Sequence, residues 1–201
     1  MPEKKNRYEL AGKNIVVYDL EICKPVDQCT NGWSSKDEMG ISVGCAFDYR
    51  NLSYRVYMSD NIRDLALRLN EPGTLVVAFN QINFDNPLMR ASNTGLNPDG
   101  ELRNYDMMLV SKKALTLGKD GRHKGFTLDS HLRACNLPAK TANGAEAPVW
   151  YQQGRIGTLV DYCLSDVQQE RALFEYMWVN GTTACAYQPQ QYAIERPEIE
   201  A

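Results

Sequence analysis

Residues 15–21 read Ile15-Val16-Val17-Tyr18-Asp19-Leu20-Glu21, a near-continuous apolar run that ends in two acids. A short run of this kind is a strand buried on both faces, which places it centrally in a sheet. Strand side chains alternate, so Asp19 and Glu21 point to one face and Leu20 to the other. Two carboxylates side by side at the end of a buried strand repel each other, and a divalent cation neutralises them best. Chance alone supplies about one D-x-E in a chain of ordinary composition. A second copy, Asp99-Gly100-Glu101, lies in a Pro/Gly turn with no strand behind it. Position at the end of a buried strand is what sets the first copy apart.

Outward from this strand, Ile41, Val43, Cys45 and Phe47 alternate with small or polar residues, and Leu52, Tyr54, Val56 and Met58 do so again after the turn-like Asp48-Tyr49-Arg50-Asn51. These are a second and third strand joined as an antiparallel hairpin. Ser59-Asp60-Asn61 caps a helix carrying Ile62, Leu65, Ala66 and Leu69, which Asn70-Glu71-Pro72-Gly73 stops. Leu75 to Phe79 is a fourth strand. Beyond it, segments from about Pro87, Tyr105, Thr127 and Ile156 carry apolar residues at helical spacing, and the last, Ile156 to Trp178, is the longest. The order predicts an α/β sandwich around a mixed sheet. Residues 1–181 form one domain in this reading, and residues 182–201, with Pro189 and Pro197 and no periodicity, form an extended tail.

At 201 residues and 43% hydrophobic content the chain suits one compact domain and is neither disordered nor collagen-like. Lys and Arg total 22 against 25 Asp and Glu, a formal charge of -3, so no global positive field draws the protein onto nucleic acid or membrane. A polyanionic substrate then needs a local patch or a bound cation. Met1 to Lys13 is charged and has no apolar signal-peptide core, and no apolar run has the length of a membrane span. Six cysteines without a C-x-x-C pair are read as reduced thiols, with the wrong spacing for zinc, in a cytoplasmic protein. Cys163 is read as a buried thiol. The stretch Lys112-Lys113 and Lys119 to Lys124, with Arg122 and His123, is the most basic locally; it reads as a solvated loop, with phosphate contact as the alternative.

Two further pieces carry chemistry. Asn80-Gln81-Ile82-Asn83-Phe84-Asp85 follows the fourth strand directly, where active-site groups of α/β folds gather; helix capping by Asp85 ahead of Pro87 is the structural alternative. Tyr162-Cys163-Leu164-Ser165-Asp166 on the last helix puts a phenol and a carboxylate one turn apart on one face; a core tyrosine with a solvated acid is the alternative there.

D-x-E, then N-x-x-x-F-D, then Y-x-x-x-D, in that order, resembles the DEDD 3′–5′ exonucleases of the ribonuclease H-like superfamily. The tyrosine marks the DEDDy subgroup, which includes the proofreading domains of family B DNA polymerases. Tyr105-Asp106-Met107-Met108, Phe126-Thr127-Leu128-Asp129 and Val149-Trp150-Tyr151-Gln152-Gln153-Gly154 look like the stand-alone bacterial and phage relatives of those domains, and the resemblance covers roughly Asn14 to Met177.

The resemblance implies a ribonuclease H-like mixed sheet with helices on both faces. It makes Asp19, Glu21, Asp85 and Asp166 ligands of two Mg²⁺ (or Mn²⁺) ions and gives Tyr162 the orientation of the attacking water. Asn80 and Phe84 would line a single-strand groove, and backbone groups at Ile22 would lie near the terminal nucleotide; Phe84 as plain core is the alternative. The histidine-using subgroup has its histidine five residues before the last acid, where this chain has Asp161. The implied activity is removal of nucleoside monophosphates from the 3′ end of a single strand, DNA favoured over RNA, with a replication or repair protein as a further partner and no membrane. The alternatives are a catalytically inactive binding module of the same fold, a 3′–5′ exoribonuclease, a different two-metal phosphodiesterase such as an endonuclease or a small-oligonucleotide ribonuclease, and a docking protein that uses its tail.

Overall fold

The computed structural model describes residues 2–117, 124–139 and 144–199. Lys119, Arg122 and His123 of the basic stretch lie outside these residues. Five strands, β1 (Ile15–Ile22), β2 (Ile41–Asp48), β3 (Ser53–Met58), β4 (Leu75–Ala78) and β5 (Arg103–Asp106), form one sheet in the order β3-β2-β1-β4-β5. β1 pairs antiparallel with β2 and parallel with β4, so it is central, as its apolar run requires. β2 and β3 form the expected hairpin, and β4 and β5 pair in parallel.

The helices are α1 (Lys36–Met39), α2 (Ile62–Leu69), α3 (Asp85–Ala91), α4 (Met107–Ala114), α5 (Leu128–Ala134), α6 (Ala147–Gln152) and α7 (Ile156–Asn180). They cover both faces of the sheet. Ile15 and Val17 of β1 pack with Leu159, Cys163, Val167 and Phe174 of α7, whereas Val16, Tyr18 and Leu20 pack with Leu65 of α2 and Leu88 of α3. The odd-numbered side of β1 therefore faces α7, which decides where Asp19 and Glu21 point. α7 ends at Gly181, whose left-handed φ of 64° lets its N–H close on Met177 O at 2.8 Å.

Three details depart from sequence expectation. The segment from Tyr105 begins as strand: Arg103 to Asp106 pairs with β4, and the helix starts only at Met107. Four residues with polar Arg103 and Asn104 present too little alternation to read as a strand without the partner. Asn61 does sit at the start of α2, but its side chain accepts from Met58 N–H at 2.7 Å and closes the preceding turn instead of capping the helix. Of the basic stretch, Lys112 is buried within α4, and Lys113 pairs with Glu195 at 2.6 Å.

Residues 182–199 lack periodicity yet pack closely. Thr182–Thr183 (β6) pairs with Tyr192–Ala193 (β7), Ala184 and Cys185 are fully buried, and the backbone at Glu195 and Glu198 accepts from Tyr105 Oη and Arg103, both at 2.9 Å. Among the described residues no helix is long and apolar enough to cross a membrane.

β2 runs beneath α2 at Gly44, where a Cβ would meet Ile62 Cδ1 at 2.8 Å and Leu20 Cδ2 at 2.9 Å. Gly44→Ala is therefore expected to lower stability by about 1–3 kcal/mol through overpacking, read as a lower urea midpoint with an unchanged m-value.

Candidate active site

Asp19 stands opposite Cys45 and Glu21 opposite Val43 in the β1–β2 ladder, and the register shifts between Glu21 and Ile22. A register irregularity at this point ends regular pairing where the strand leaves the sheet and re-aims the side chains at its tip. Asp19, Glu21 and the Cys163 thiol of α7 offer ligand atoms within 4.8 Å of one another. Asp19 is half-buried and Glu21 buried. Burial pushes the Asp19 carboxyl well above the usual range, and the negative charges of Glu170, Glu21, Asp166 and Asp85 push it the same way. All of these acids thus act on a common space at the end of β1.

Asp85 reaches this space from the start of α3. It is not a cap: Phe84 holds the N-cap position, and Asp85 is the first helical residue. Burial pushes its carboxyl up to about 7; a backbone N–H bond opposes this, Asp106 adds to it and Lys36 opposes it. One oxygen, Oδ1, is buried with no hydrogen-bond partner. The residue beside it, Asn86, accepts from Tyr18 Oη of β1 and donates to Asp99 at 2.6 Å and Asn104 at 3.1 Å, which ties the helix start to β1 and β5. Asp99, from the second D-x-E, also pairs with Arg90 at 2.9 Å and is structural.

α7 supplies Tyr162, Asp166 and Glu170, spaced four residues apart and buried on one face. The Tyr162 ring meets Trp150 edge-on at 5.4 Å. Burial, then Asp166, Glu21 and Asp19, raise the phenol far above its ordinary value, so it remains protonated and can donate. Glu170 is buried; its Oε1 accepts from Phe79 N–H at 3.0 Å, while Oε2 has no hydrogen-bond partner. Sequence reasoning missed Glu170. The signal was the same i, i+4 step that picked out Asp166, carried one turn further.

Asn80 has a left-handed backbone, φ 74°, and its N–H bonds Asp106 Oδ1 at 3.0 Å; Ile82 N–H bonds the other oxygen at 3.1 Å. Asp106, which also caps α4 through Leu109 N–H, thereby fixes the loop that presents Asn80 and Phe84. Ile22 is buried at the end of β1. Phe84 is half-buried, with its ring 5.5 Å from Trp33. His131, by contrast, has its ring nitrogens engaged by Thr127 O and Ser111 Oγ, and Asp161 is exposed.

Buried acids with an orphaned oxygen are hard donors, the set that Mg²⁺ or Mn²⁺ prefers. Burial first, then Cys45 and Asp19, raise the Cys163 thiol, and a soft sulfur suits these hard cations less than the carboxylates do. The thiol donates weakly to Asp19 O at 3.5 Å and to Asp19 Oδ2 at 3.9 Å. The carboxylates present therefore fit divalent cations: Asp19 and Glu21 offer ligand atoms within 4.8 Å of each other, and Asp85 keeps one buried oxygen without a partner.

No protein-family model and no curated protein matches the sequence. Among solved structures, the chain is similar to the family B DNA polymerase from the hyperthermophilic archaeon Pyrobaculum calidifontis, with a TM-score of 0.59 and 14% identity over 81% of this chain and 24% of that one. It also matches a chain of an ExoI/SSB-Ct complex with a TM-score of 0.42 and 13% identity, over 75% of this chain and 43% of that one, a likeness too slight to add weight. The chain spans about a quarter of the polymerase and under half of the second chain. Identity this low speaks for fold alone, and with the strand order above it gives the conclusion that the chain has a ribonuclease H-like α/β fold with helices on both faces of a mixed sheet.

Proposed function

We propose that the chain is a metal-dependent 3′–5′ exonuclease of the DEDDy type, which hydrolyses single-stranded nucleic acid, DNA in preference to RNA, to nucleoside monophosphates. The observation that supports this reading is the Asp19–Glu21 pair at the end of β1, with ligand atoms within 4.8 Å of each other, and the electrostatic reach of Asp85, Asp166 and the Tyr162 phenol to that pair. Phosphodiester hydrolysis adds the oxygen of water to phosphorus and breaks the bond to the 3′ oxygen of the preceding sugar. The shortened strand keeps a 3′ hydroxyl, and the released nucleotide keeps the phosphate.

Two divalent cations, when bound, would make the attacking water acidic and offset charge on the attacking and leaving oxygens. The chain's own part is to hold and orient. Asp19, Glu21, Asp85 and Asp166 would hold the cations. Tyr162, with its ring kept in place by Trp150, orients the water through its hydroxyl. Ile22, Asn80 and Phe84 line the approach of the terminal nucleotide. With -3 net charge the chain has no general attraction for polyanions, which suits a groove enzyme charged locally by its ions better than a coating protein.

Tyr162→Phe removes the hydroxyl and keeps the ring packing, so it should lower kcat by up to about 100-fold with divalent-ion affinity nearly unchanged. Single-turnover kinetics beside a metal titration reads both quantities.

The test of the reading is digestion of matched DNA and RNA single strands, labelled at the 5′ end, with Mg²⁺, Mn²⁺ or EDTA. A ladder that shortens from the 3′ end only with metal, faster on DNA, is expected. A faster RNA ladder would make the chain an exoribonuclease. Intact strands under every metal condition, with binding retained, would make it an inactive module of the same fold.

A further inference from the structure

Residues 23–40 connect β1 to β2, antiparallel neighbours that a two-residue turn could join. The insertion is anchored: Cys29 and Met39 are in the core, Lys24 pairs with Glu38 at 3.0 Å, Asn31 N–H bonds Ser35 Oγ at 2.9 Å, and α1 packs on α3. Against this fixed frame it presents Trp33 with 53% of its surface exposed. Aromatic rings carry a large apolar area, so an open ring on an anchored turn offers a face to stack on.

Trp33 does not stand alone. Its ring meets Phe84 edge-on at 5.5 Å, and Lys36 binds Trp33 O at 2.6 Å with its ammonium 4.3 Å from the Phe84 ring centre and 5.7 Å from that of Trp33. Phe84 immediately precedes Asp85, so two aromatic faces and a cation adjoin the acid cluster. Lys36 acts electrostatically on Asp85 itself. Aromatic faces beside positive charge are how proteins hold unpaired bases without reading their sequence.

We propose that Trp33 is the stacking platform for an unpaired base near the 3′ end of the substrate, with Phe84 as its buttress and Lys36 as the counter-charge for the adjoining phosphate. The inference rests on the exonuclease reading above and deepens it, since it makes an unpaired base near the end, and not merely a free 3′ hydroxyl, a requirement for tight binding. The β1–β2 connection would then set substrate preference, while the acids set the chemistry.

The test compares wild type, Trp33→Ala and Trp33→Phe as full chains on 5′-labelled oligonucleotides that carry either normal or abasic residues at the last three positions. A stack held equally in ground and transition states appears in KM and leaves kcat alone. Wild type should show a KM raised on the order of tenfold by the abasic end. Trp33→Ala should show a similar rise on the normal strand with little added by the abasic end, and Trp33→Phe should restore most of the loss. An unchanged KM for Trp33→Ala, or a full abasic penalty remaining in it, would overturn the platform while the exonuclease reading stands. A wild type that shortens no strand would overturn the exonuclease reading and the platform with it. A second readout does not depend on how well the alanine variant folds. With EDTA present, added oligonucleotide should quench tryptophan fluorescence in wild type and much less in Trp33→Phe. Equal quenching in the two would again overturn the platform.

Discussion

Asp19→Ala is expected to abolish turnover, with a loss of at least about 10³-fold, while the metal-free protein becomes no less stable. The two halves of this expectation have one cause. Asp19 is held near four other acids, and burial together with their charges disfavours its ionised form. Without cations that arrangement is a burden on the fold, and deleting one carboxyl relieves it; with cations the same carboxyl is a ligand. Turnover on labelled DNA and thermal unfolding in EDTA check the two halves separately. A variant that unfolds in EDTA would make Asp19 a structural acid, and one that keeps wild-type turnover would remove it from the site.

The second large effect concerns pH and metal together. Asp85 is pushed from the ordinary 3.8 up to about 7, so the folded chain holds that proton more tightly than the unfolded chain does. Its stabilising contribution is complete below about pH 4 and is lost as pH rises through about 7. Asp19 and Glu170, both raised by burial, act with the same sign. Asp48, lowered overall beside Arg68 despite its burial, acts with the opposite sign, and its stabilisation is lost as pH falls below the ordinary carboxylate range. In EDTA the Tm should therefore fall as pH is raised from 5 to 8. Mg²⁺ or Mn²⁺ should add little at pH 5 and restore stability at pH 8, because the ion binds the deprotonated acids and only the folded chain assembles them. Scans at the two pH values, with and without metal, decide the matter. A metal-independent Tm at pH 8 would mean that these acids do not form a cation site.

Much of this molecule is legible locally. The apolar run Ile15 to Leu20 marks the central strand, and strand alternation alone puts Asp19 and Glu21 on one face. The alternating residues of β2 and β3 mark the hairpin, and the four-residue step from Tyr162 to Asp166 marks one face of the last helix. These features depend on the phase of a repeating backbone, which neighbouring residues carry in their own pattern. Which faces meet is a different kind of fact. That the odd side of β1 turns to α7 follows from packing between segments more than a hundred residues apart, as the core cluster joining Val17 to Cys163 records. Glu170 enters the acid group through the packing of α7 on the sheet, with Phe79 N–H bonded to its Oε1. The capping alternative for Asp85 is removed only by the structure, in which Phe84 occupies the cap position. β5 exists as a strand only beside β4. Trp33 gains meaning only when the turn ahead of α1 sets it against Phe84. Periodicity encodes the direction of a side chain relative to its own backbone; the distance from that side chain to another segment is set by burial and hydrogen bonding summed over the whole fold, and no local stretch contains it.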